Sequence, residues 1–408
     1  MPLIIAAPVR RSAKPASDVA YVGRRFRSAI KERWMKSAIV VGAGIWGGVA
    51  GAAAGRRGLA GDARRAVRAG HVRQASAGET RLLRCAHGSD DWYPRLARQA
   101  RDAWRRLEQR TGEDLYVESG LMWFARDPDG WETRSARVLE RLDIPCELLD
   151  PAEAARRFPG LRGDDLAFVL WEPNAGVLRA RRATQVTARL AVAAGVRQVR
   201  ARAVPYGRGA GVVADGEVLT ADRVVWACGA WLPRLFPHEA GHVQVTRQDT
   251  FHFGVPRDWT TPPLPAFCDY DLSAYGHGDL DGMGMKITGD AEGEPYDPES
   301  GGRRVLRHTE EQARAYLARR FPSLVGAPVV FSQVCQYALT RDAEWIIAEV
   351  EDGVWLLGGE SGHGFKHAPA LAGYVAEILD GEREPEARFG LHERSTARGL
   401  RTSGGTVS

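Results

Sequence analysis

Positive charge in this chain is written almost wholly as arginine. Five lysines stand beside 51 arginines, three of the five fall in residues 1–36, and the body keeps only Lys286 and Lys366. A lysine ammonium is a compact point charge whose pKa moves readily on burial, which a guanidinium cannot match. These two positions are therefore the first candidates for chemistry. The second candidate is "SAIVVGAGIWGG" (Ser37 to Gly48), where Gly42, Gly44 and Gly47 follow a short apolar run. Glycines at this spacing let backbone approach a pyrophosphate at a helix N-terminus. Alone the pattern is weak, and a ligand-free glycine turn is its plain alternative; the strand before it and helix after it strengthen the reading.

These residues need elements to hold them. "AIVV" (Ala38 to Val41) predicts a strand, and the Ala/Gly-rich run to Gly58 a helix. Tyr93, Leu96, Ala100, Trp104 and Leu107 recur at helical spacing and predict a buried face. "LYVESGLMWFA" alternates like a strand pair, and "DPAEAARRFPGL" opens with a helix cap. "RRATQVTARLAVAAGV" and "HTEEQARAYLARRFP" read as helices, and "EVLTADRVVWACGAWLPRLF" as strand, tight turn and helix start. Near the end the opening grammar returns: strand "GVWLLGG", turn "ESGHGFKHAP", helix "ALAGYVAEILDG". The alternation predicts an α/β nucleotide-binding domain assembled from separated stretches, with mainly antiparallel material inserted between them.

Composition sets the outer limits. With 408 residues, 44% hydrophobic and 26% charged, the chain reads as a soluble globular protein of two or three units. It has no apolar run near the roughly 18–20 residues that span a bilayer, so no membrane role is expected. Residues 1–36 carry nine Lys or Arg against Asp18 and Glu32, a balance of +7; the formal charge is +5, which leaves −2 for the rest. A nucleic-acid binder carries its basic stripe on the folded domain, so that partner class is set aside. The arm reads as an unstructured extension, or as translation begun upstream of Met35, with an Arg-rich, acid-poor transit peptide as the lesser alternative, and residues 386–408 as a polar tail. The five cysteines (Cys85, Cys146, Cys228, Cys268 and Cys335) show neither CxxC nor His-rich spacing. Neither a zinc site nor a disulfide framework is expected, and a reducing, cytoplasmic setting is.

Six blocks, in order, resemble the monomeric sarcosine oxidase and N-methyltryptophan oxidase family of D-amino-acid-oxidase-like flavoproteins. They are "GAGIWG", "SAGETRLLRCAHG" (Ser76 to Gly88), "EPNAGVL" (Glu172 to Leu178), "ACGAW" (Ala227 to Trp231), "VCQYALT" (Val334 to Thr340) and "SGHGFKHAP" (Ser361 to Pro369). The resemblance runs from about Ser37 to Gly381. It implies an α/β chain, α+β overall: a Rossmann-like FAD-binding domain with an inserted mainly antiparallel β-sheet substrate domain. The expected divisions are 37–92, 166–235 and 335–385 for the FAD-binding part, and 93–165 with 236–334 for the substrate part.

The resemblance also implies roles. Cys335 matches the cysteine that forms a thioether to the flavin 8α-methyl group, against the alternative of a small core residue. Arg84 and Lys366 match the pair that holds a substrate carboxylate. Arg81 matches the arginine lying against the flavin, Thr80 a residue beside the ring, and Tyr275 a ring lining the substrate pocket. Lys286 matches the lysine that promotes reaction with O2, where a fixed cation stabilises developing negative charge. FAD contacts are implied for Gly42, Gly44, Ile45, Trp46, Gly47, Ser76, Thr80, Arg81, Val204, Cys228, Gly229, Trp231, Cys335, Gly359, Gly362, His363, Gly364, Phe365 and Lys366. No metal ligand is implied. Three departures stand out: Asp290 and Ala77 where His is common, and Glu360 where an apolar residue is frequent. Asp290 and Glu360 could meet a second positive group on the substrate, or be solvated.

The stretch "GLAGDARRAVRAGHVR" (Gly58 to Arg73) conflicts with all this. The acidic ribose ligand of the fold is expected at position 65, where Arg65 stands, and "LAGDARRAVRA" lacks the large apolar residues of a buried parallel strand. Shifted by one base, Gly61 to Arg65 can be respelled Val-Thr-Leu-Val-Glu within codon degeneracy, which reads as the missing strand written out of frame.

The implied activity is FAD-dependent oxidation of a carboxylate-bearing secondary amine or amino acid to an imine, with O2 reduced to hydrogen peroxide, by a monomer. The rivals are a dehydrogenase of the same fold using another acceptor, an NAD-dependent enzyme supported by the first turn alone, and a member disabled because 59–69 lacks the second Rossmann strand.

Overall fold

A computed structural model of the protein describes residues 37–56, 69–207, 209–392 and 394, and the backbone of Leu3–Ala6 and Gly61–Arg65. Most of the expected basic extension and the end of the polar tail lie outside the described residues.

The first strand, Ala38–Val41, is buried at every position and pairs in parallel with Arg223–Trp226, which pairs in parallel with Val354–Gly358; Ile346–Glu351 closes this sheet antiparallel. These are the apolar runs of the opening and closing stretches, brought side by side although more than 300 residues separate them. The helix Ile45–Arg56 has eight Ala or Gly among its 12 residues and packs against the helices Ala180–Ala193 and Ala368–Leu379. Small side chains permit that close approach: a Cβ on Gly48 would come within 2.8 Å of Thr187 Oγ1.

A second sheet of eight strands runs in the order Val329–Leu339, Gln244–Phe253, Met285–Gly289, Ala274–His277, Ala266–Asp269, Leu121–Ala125, Phe168–Glu172, Glu147–Leu149. Apart from the parallel pair Ala266–Asp269 with Leu121–Ala125, its neighbours are antiparallel. The inserted antiparallel layer is thus present, as the expected fold class requires. The expected boundaries at 165/166 and 334/335 do not coincide with its edges, since Phe168–Glu172 and the whole of Val329–Leu339 belong to it. A small antiparallel sheet pairs Thr80–Leu83 and Tyr116–Glu118 with Gly176–Arg179 between them.

The helix Trp92–Thr111 buries Tyr93, Leu96, Ala100, Trp104 and Leu107 as its periodicity predicts. Among the described residues, no helix is long and apolar enough to cross a membrane.

Four expectations are corrected. Gly61–Arg65 is a strand, pairing in parallel with Val196–Val199, so the second Rossmann strand is not missing. Strand pairing is made by backbone N–H and C=O groups that every non-proline residue carries, and a template strand can impose it where side chains give no signal. Leu3–Ala6, expected as part of an unstructured arm, pairs antiparallel with both of these strands; "LIIA" is apolar and β-branched, which suits a strand. Tyr116–Glu118 and Leu121–Ala125 do not pair with each other but join different sheets. The tail, finally, is tied down at its start: the Phe389 ring is fully buried against Trp92 and Trp345, and Arg388 pairs with Asp90 and Glu344 at 2.5 and 2.6 Å.

Candidate active site

The glycine turn is built for close backbone approach. Gly42 has φ +121°, and a Cβ there would sit 2.0 Å from Ala227 O; a Cβ on Gly47 would sit 2.1 Å from Gly42 O. The turn therefore locks onto the "ACGAW" segment on one side and onto its own helix on the other. Ile45 N–H donates to Ser76 Oγ at 3.0 Å, and Gln74 Nε2 donates to Ala43 O at 3.2 Å, which ties the segment before Thr80 to the same helix start. Trp46 Nε1 donates to Gly364 O at 3.1 Å, joining the first block to the last.

Between these segments runs a cleft of about 830 Å³. Gly42, Gly44, Ile45, Trp46, Ser76, Arg81, Cys228, Gly229, Trp231, Gly362, Gly364 and Phe365 line it, twelve of the residues expected to touch a cofactor. The glycine turn lining the cleft and the start of a 12-residue helix with no acidic residue in its first turn fit the pyrophosphate of a dinucleotide.

A second cleft of about 370 Å³ shares Arg81, Gly362 and Phe365 with the first and adds Arg84, Tyr275, His363 and Lys366. Two of its cations are almost wholly buried, Arg84 at 4% and Lys366 at 3% exposure. Arg84 gives its hydrogen bonds to neutral oxygens, Nη1 to Ala86 O at 2.5 Å and Nη2 to Tyr270 OH at 2.9 Å, and lies over the Trp123 ring. Lys366 Nζ donates to His363 O at 3.0 Å. Its backbone is pinned by Trp104, whose Nε1 donates to Lys366 O at 2.8 Å, so the helix Trp92–Thr111 positions the "HGFK" turn. Two buried positive charges lining one cleft favour an anion there.

Arg81 stands where the clefts meet. Nη1 donates to Thr80 O at 2.7 Å, and Nη2 to Ala75 O at 2.6 Å and to Cys335 Sγ at 3.3 Å. Cys335 itself sits in the strand Val329–Leu339, facing Gln248 across the sheet.

Lys286 lines neither of these clefts. It is 2% exposed, with Nζ donating towards Thr80 O at 3.3 Å and Oγ1 at 3.4 Å, 5.2 Å from the centre of the Tyr275 ring. Burial, then repulsion from Arg81, pushes its pKa down to about 7. Its cross-strand neighbours are His252 and His277. Burial and the nearby ammonium hold His277 well below the usual imidazole range and His252 at about 4, so both are neutral at pH 7. His277 Nε2 meets Thr80 Oγ1 at 2.8 Å, and Thr80 lines a separate hollow of about 630 Å³ with these histidines.

Match to known proteins decides the family. A profile described as FAD dependent oxidoreductase fits residues 37–378. The chain belongs to the FAD dependent oxidoreductase family. Relatives of this FAD-dependent oxidoreductase include a monomeric sarcosine oxidase from Streptomyces avermitilis, 28% identical over 324 residues (76% of this chain, 84% of the relative). An N-methyl-L-tryptophan oxidase from Yersinia pestis is 26% identical over 363 residues (84% of this chain, 94% of the relative). Among solved structures, the fold is similar to an L-proline dehydrogenase from P. horikoshii, with a TM-score of 0.74 at 19% identity, covering 86% of this chain and 96% of that one. FAD is thus the cofactor of the oxidoreductase, and the first cleft is where its residues fit it.

Some expected contacts stand off that cleft. Gly47 and Gly359 are packed behind it, where a Cβ on Gly359 would meet Thr340 Cγ2 at 2.7 Å. His363 and Lys366 line the second cleft, Thr80 lines a separate hollow, and Cys335 lines neither cleft but contacts Arg81, which lines both. Val204 is 43% exposed in the small sheet Ala203–Pro205, Gly211–Ala214, Glu217–Thr220 and does not line the cleft; it lies outside the six matching blocks.

Other residues were missed. Gln74, Leu357 and Tyr337 line the first cleft. Tyr337 was findable, because it lies two positions beyond Cys335 on the same strand and so shares its face. Its hydroxyl meets Tyr275 OH at 3.1 Å and donates to Asp290 Oδ1 at 3.4 Å, linking Asp290 to Tyr275 through Tyr337. Glu360, the other departure, lines the cofactor cleft beside Gly229, and burial pushes its pKa up to about 7.

Proposed function

We propose that the protein is an amine oxidase of the sarcosine oxidase type, acting on a carboxylate-bearing secondary amine or amino acid and using O2 as acceptor. The observation that carries this is the pair of buried cations, Arg84 and Lys366, lining a cleft continuous with the cofactor cleft at Arg81. When bound, FAD accepts the two electrons of the C–N oxidation and returns them to O2.

The chain's residues supply the rest. Arg84 and Lys366 hold the substrate carboxylate, which fixes the amine end relative to the cofactor and removes orientational freedom before reaction. The Tyr275 ring closes the cleft and excludes water. Lys286, isolated from solvent behind Thr80 and Tyr275, supplies a positive charge for the negative charge that develops as O2 is reduced. Cys335, beside the Arg81 guanidinium, is the residue we assign to a thioether at the flavin 8α-methyl group.

The test is anaerobic mixing of the holoprotein with N-methyl amino acids, followed by air and a peroxide assay. Bleaching of the flavin and one peroxide per substrate oxidised is the expected result, with amines lacking a carboxylate reacting poorly. Bleaching without peroxide on aeration would mean a dehydrogenase with another acceptor, and no bleaching would end the amine reading.

A further inference from the structure

Behind the second cleft, three imidazoles close into a triangle. The ring centres of His87, His363 and His367 stand 5.7, 5.7 and 6.3 Å apart, and one nitrogen of each lies within 4.8 Å of the other two. We propose that His87, His363 and His367 form a binding site for a first-row transition-metal dication of the zinc class.

Tautomers argue for it. His87 Nδ1 meets Cys85 O at 2.7 Å, and His363 Nε2 meets Ala343 O at 3.0 Å. A backbone carbonyl can only accept, so the ring nitrogen in each contact carries the proton. In the neutral rings that leaves His87 Nε2 and His363 Nδ1 as lone-pair donors. His87 Nε2 and both nitrogens of His367 are buried with no hydrogen-bond partner in the structure. Metal-ligating histidines characteristically donate the second ring N–H to a carbonyl or carboxylate, which sets tautomer and ring orientation. Two of these three already do so.

The rings are also held in place. Tyr93 stacks on His87 at 5.3 Å and meets His363 edge-on at 4.7 Å, while Trp345 stacks on His363 at 5.6 Å. The loop carrying His87 is fixed by Glu172, whose carboxylate accepts from Cys85 N–H at 2.7 Å and Ala86 N–H at 3.1 Å. His363 and His367 are four residues apart around the turn that starts the helix Ala368–Leu379. Zinc–imidazole bonds of about 2.0–2.1 Å place ligands on the order of 3.4 Å apart in a tetrahedron, so binding needs the rings to draw in by roughly 1 Å. Arg84 and Lys366 lie near enough to repel a cation held by charge alone. That disfavours Mg²⁺ or Ca²⁺, which want oxygen ligands in any case, and leaves metals that bond to imidazole nitrogen. Three ligands leave a fourth position for water.

The test uses untagged holoprotein stripped with a chelator, then supplied with Zn²⁺ or, as a coloured probe, Co²⁺. About one Zn²⁺ per chain should survive gel filtration, and Co²⁺ should give the visible absorption of a nitrogen-ligated four-coordinate site. His87→Phe and His367→Phe, which keep ring volume, should each lower metal affinity at least tenfold while retaining flavin. The proposal fails if the wild-type protein retains neither metal, or if both variants bind it as the wild type does. Should either variant not fold, the wild-type Co²⁺ spectrum decides alone: an unchanged, hexa-aqua-like spectrum overturns the site.

Discussion

Arg81 Nη2 donates to Cys335 Sγ at 3.3 Å, so a guanidinium that lines the cofactor cleft touches a cysteine of the eight-stranded sheet. Cysteine attacks as its thiolate, and this sulfur is the one we assign to the flavin thioether. Cys335→Ser should therefore yield protein whose flavin is freed by acid precipitation, while wild-type flavin stays in the pellet. Arg81→Ala should slow attachment and leave a mixed population. Yellow pellets from Cys335→Ser would place the attachment elsewhere.

Arg84 and Lys366 should act on binding more than on turnover. Removing a hydrogen-bonded charge partner costs about 1.5–3 kcal/mol, or roughly 10- to 150-fold. Arg84→Ala and Lys366→Ala are each expected to raise KM by that order for a carboxylate substrate, with a smaller change in kcat. Steady-state kinetics on an amine and its carboxylate-bearing counterpart check this; equal losses on both would remove the carboxylate role.

Lys286 gives a signed pH dependence. Its folded pKa of about 7 lies below the ordinary 10.5, so between these values the unfolded chain holds a proton that the folded protein does not. Stability of the flavin-free protein then rises as pH climbs through that window, and below it the fold carries the full cost of a buried ammonium. Lys286→Met should flatten this rise in urea midpoints. In the holoprotein the same variant should slow flavin reoxidation by O2 about 10²- to 10³-fold and leave anaerobic reduction by substrate far less affected. An equal effect on both half-reactions would assign Lys286 a structural part instead.

Gly42→Ala tests the glycine turn. At φ +121°, with Ala227 O 2.0 Å from the new Cβ, alanine is both strained and blocked by backbone. Ala where φ is positive is destabilising by more than about 1 kcal/mol, and the clash adds to it. Thermal melts and flavin content should fall together, and a variant with wild-type flavin content and midpoint would contradict the geometry.

Much of the architecture was legible because it rests on local signals. The period of Tyr93, Leu96, Ala100, Trp104 and Leu107 marked a buried helical face, and the apolar runs at Ala38–Val41 and Val354–Gly358 marked buried parallel strands. The scarcity of lysine singled out Lys286 and Lys366, and both prove buried. The strand at Gly61–Arg65 was illegible for the opposite reason. Its pairing comes from backbone bonds to Val196–Val199, which residue identity does not record.

The sequence by itself determined the glycine turn, the helical and strand periodicities, and which residues could bear charge or act as nucleophiles, because these depend on side-chain type and near-neighbour spacing. Only the tertiary structure decided that Arg81 meets Cys335 across 254 positions, that Lys286 lies behind Tyr275, and that His87 closes on His363 and His367. Those relations are set by how two sheets and their helices pack, where burial shifts a pKa and a carbonyl chooses a tautomer, and no local pattern in the chain encodes them.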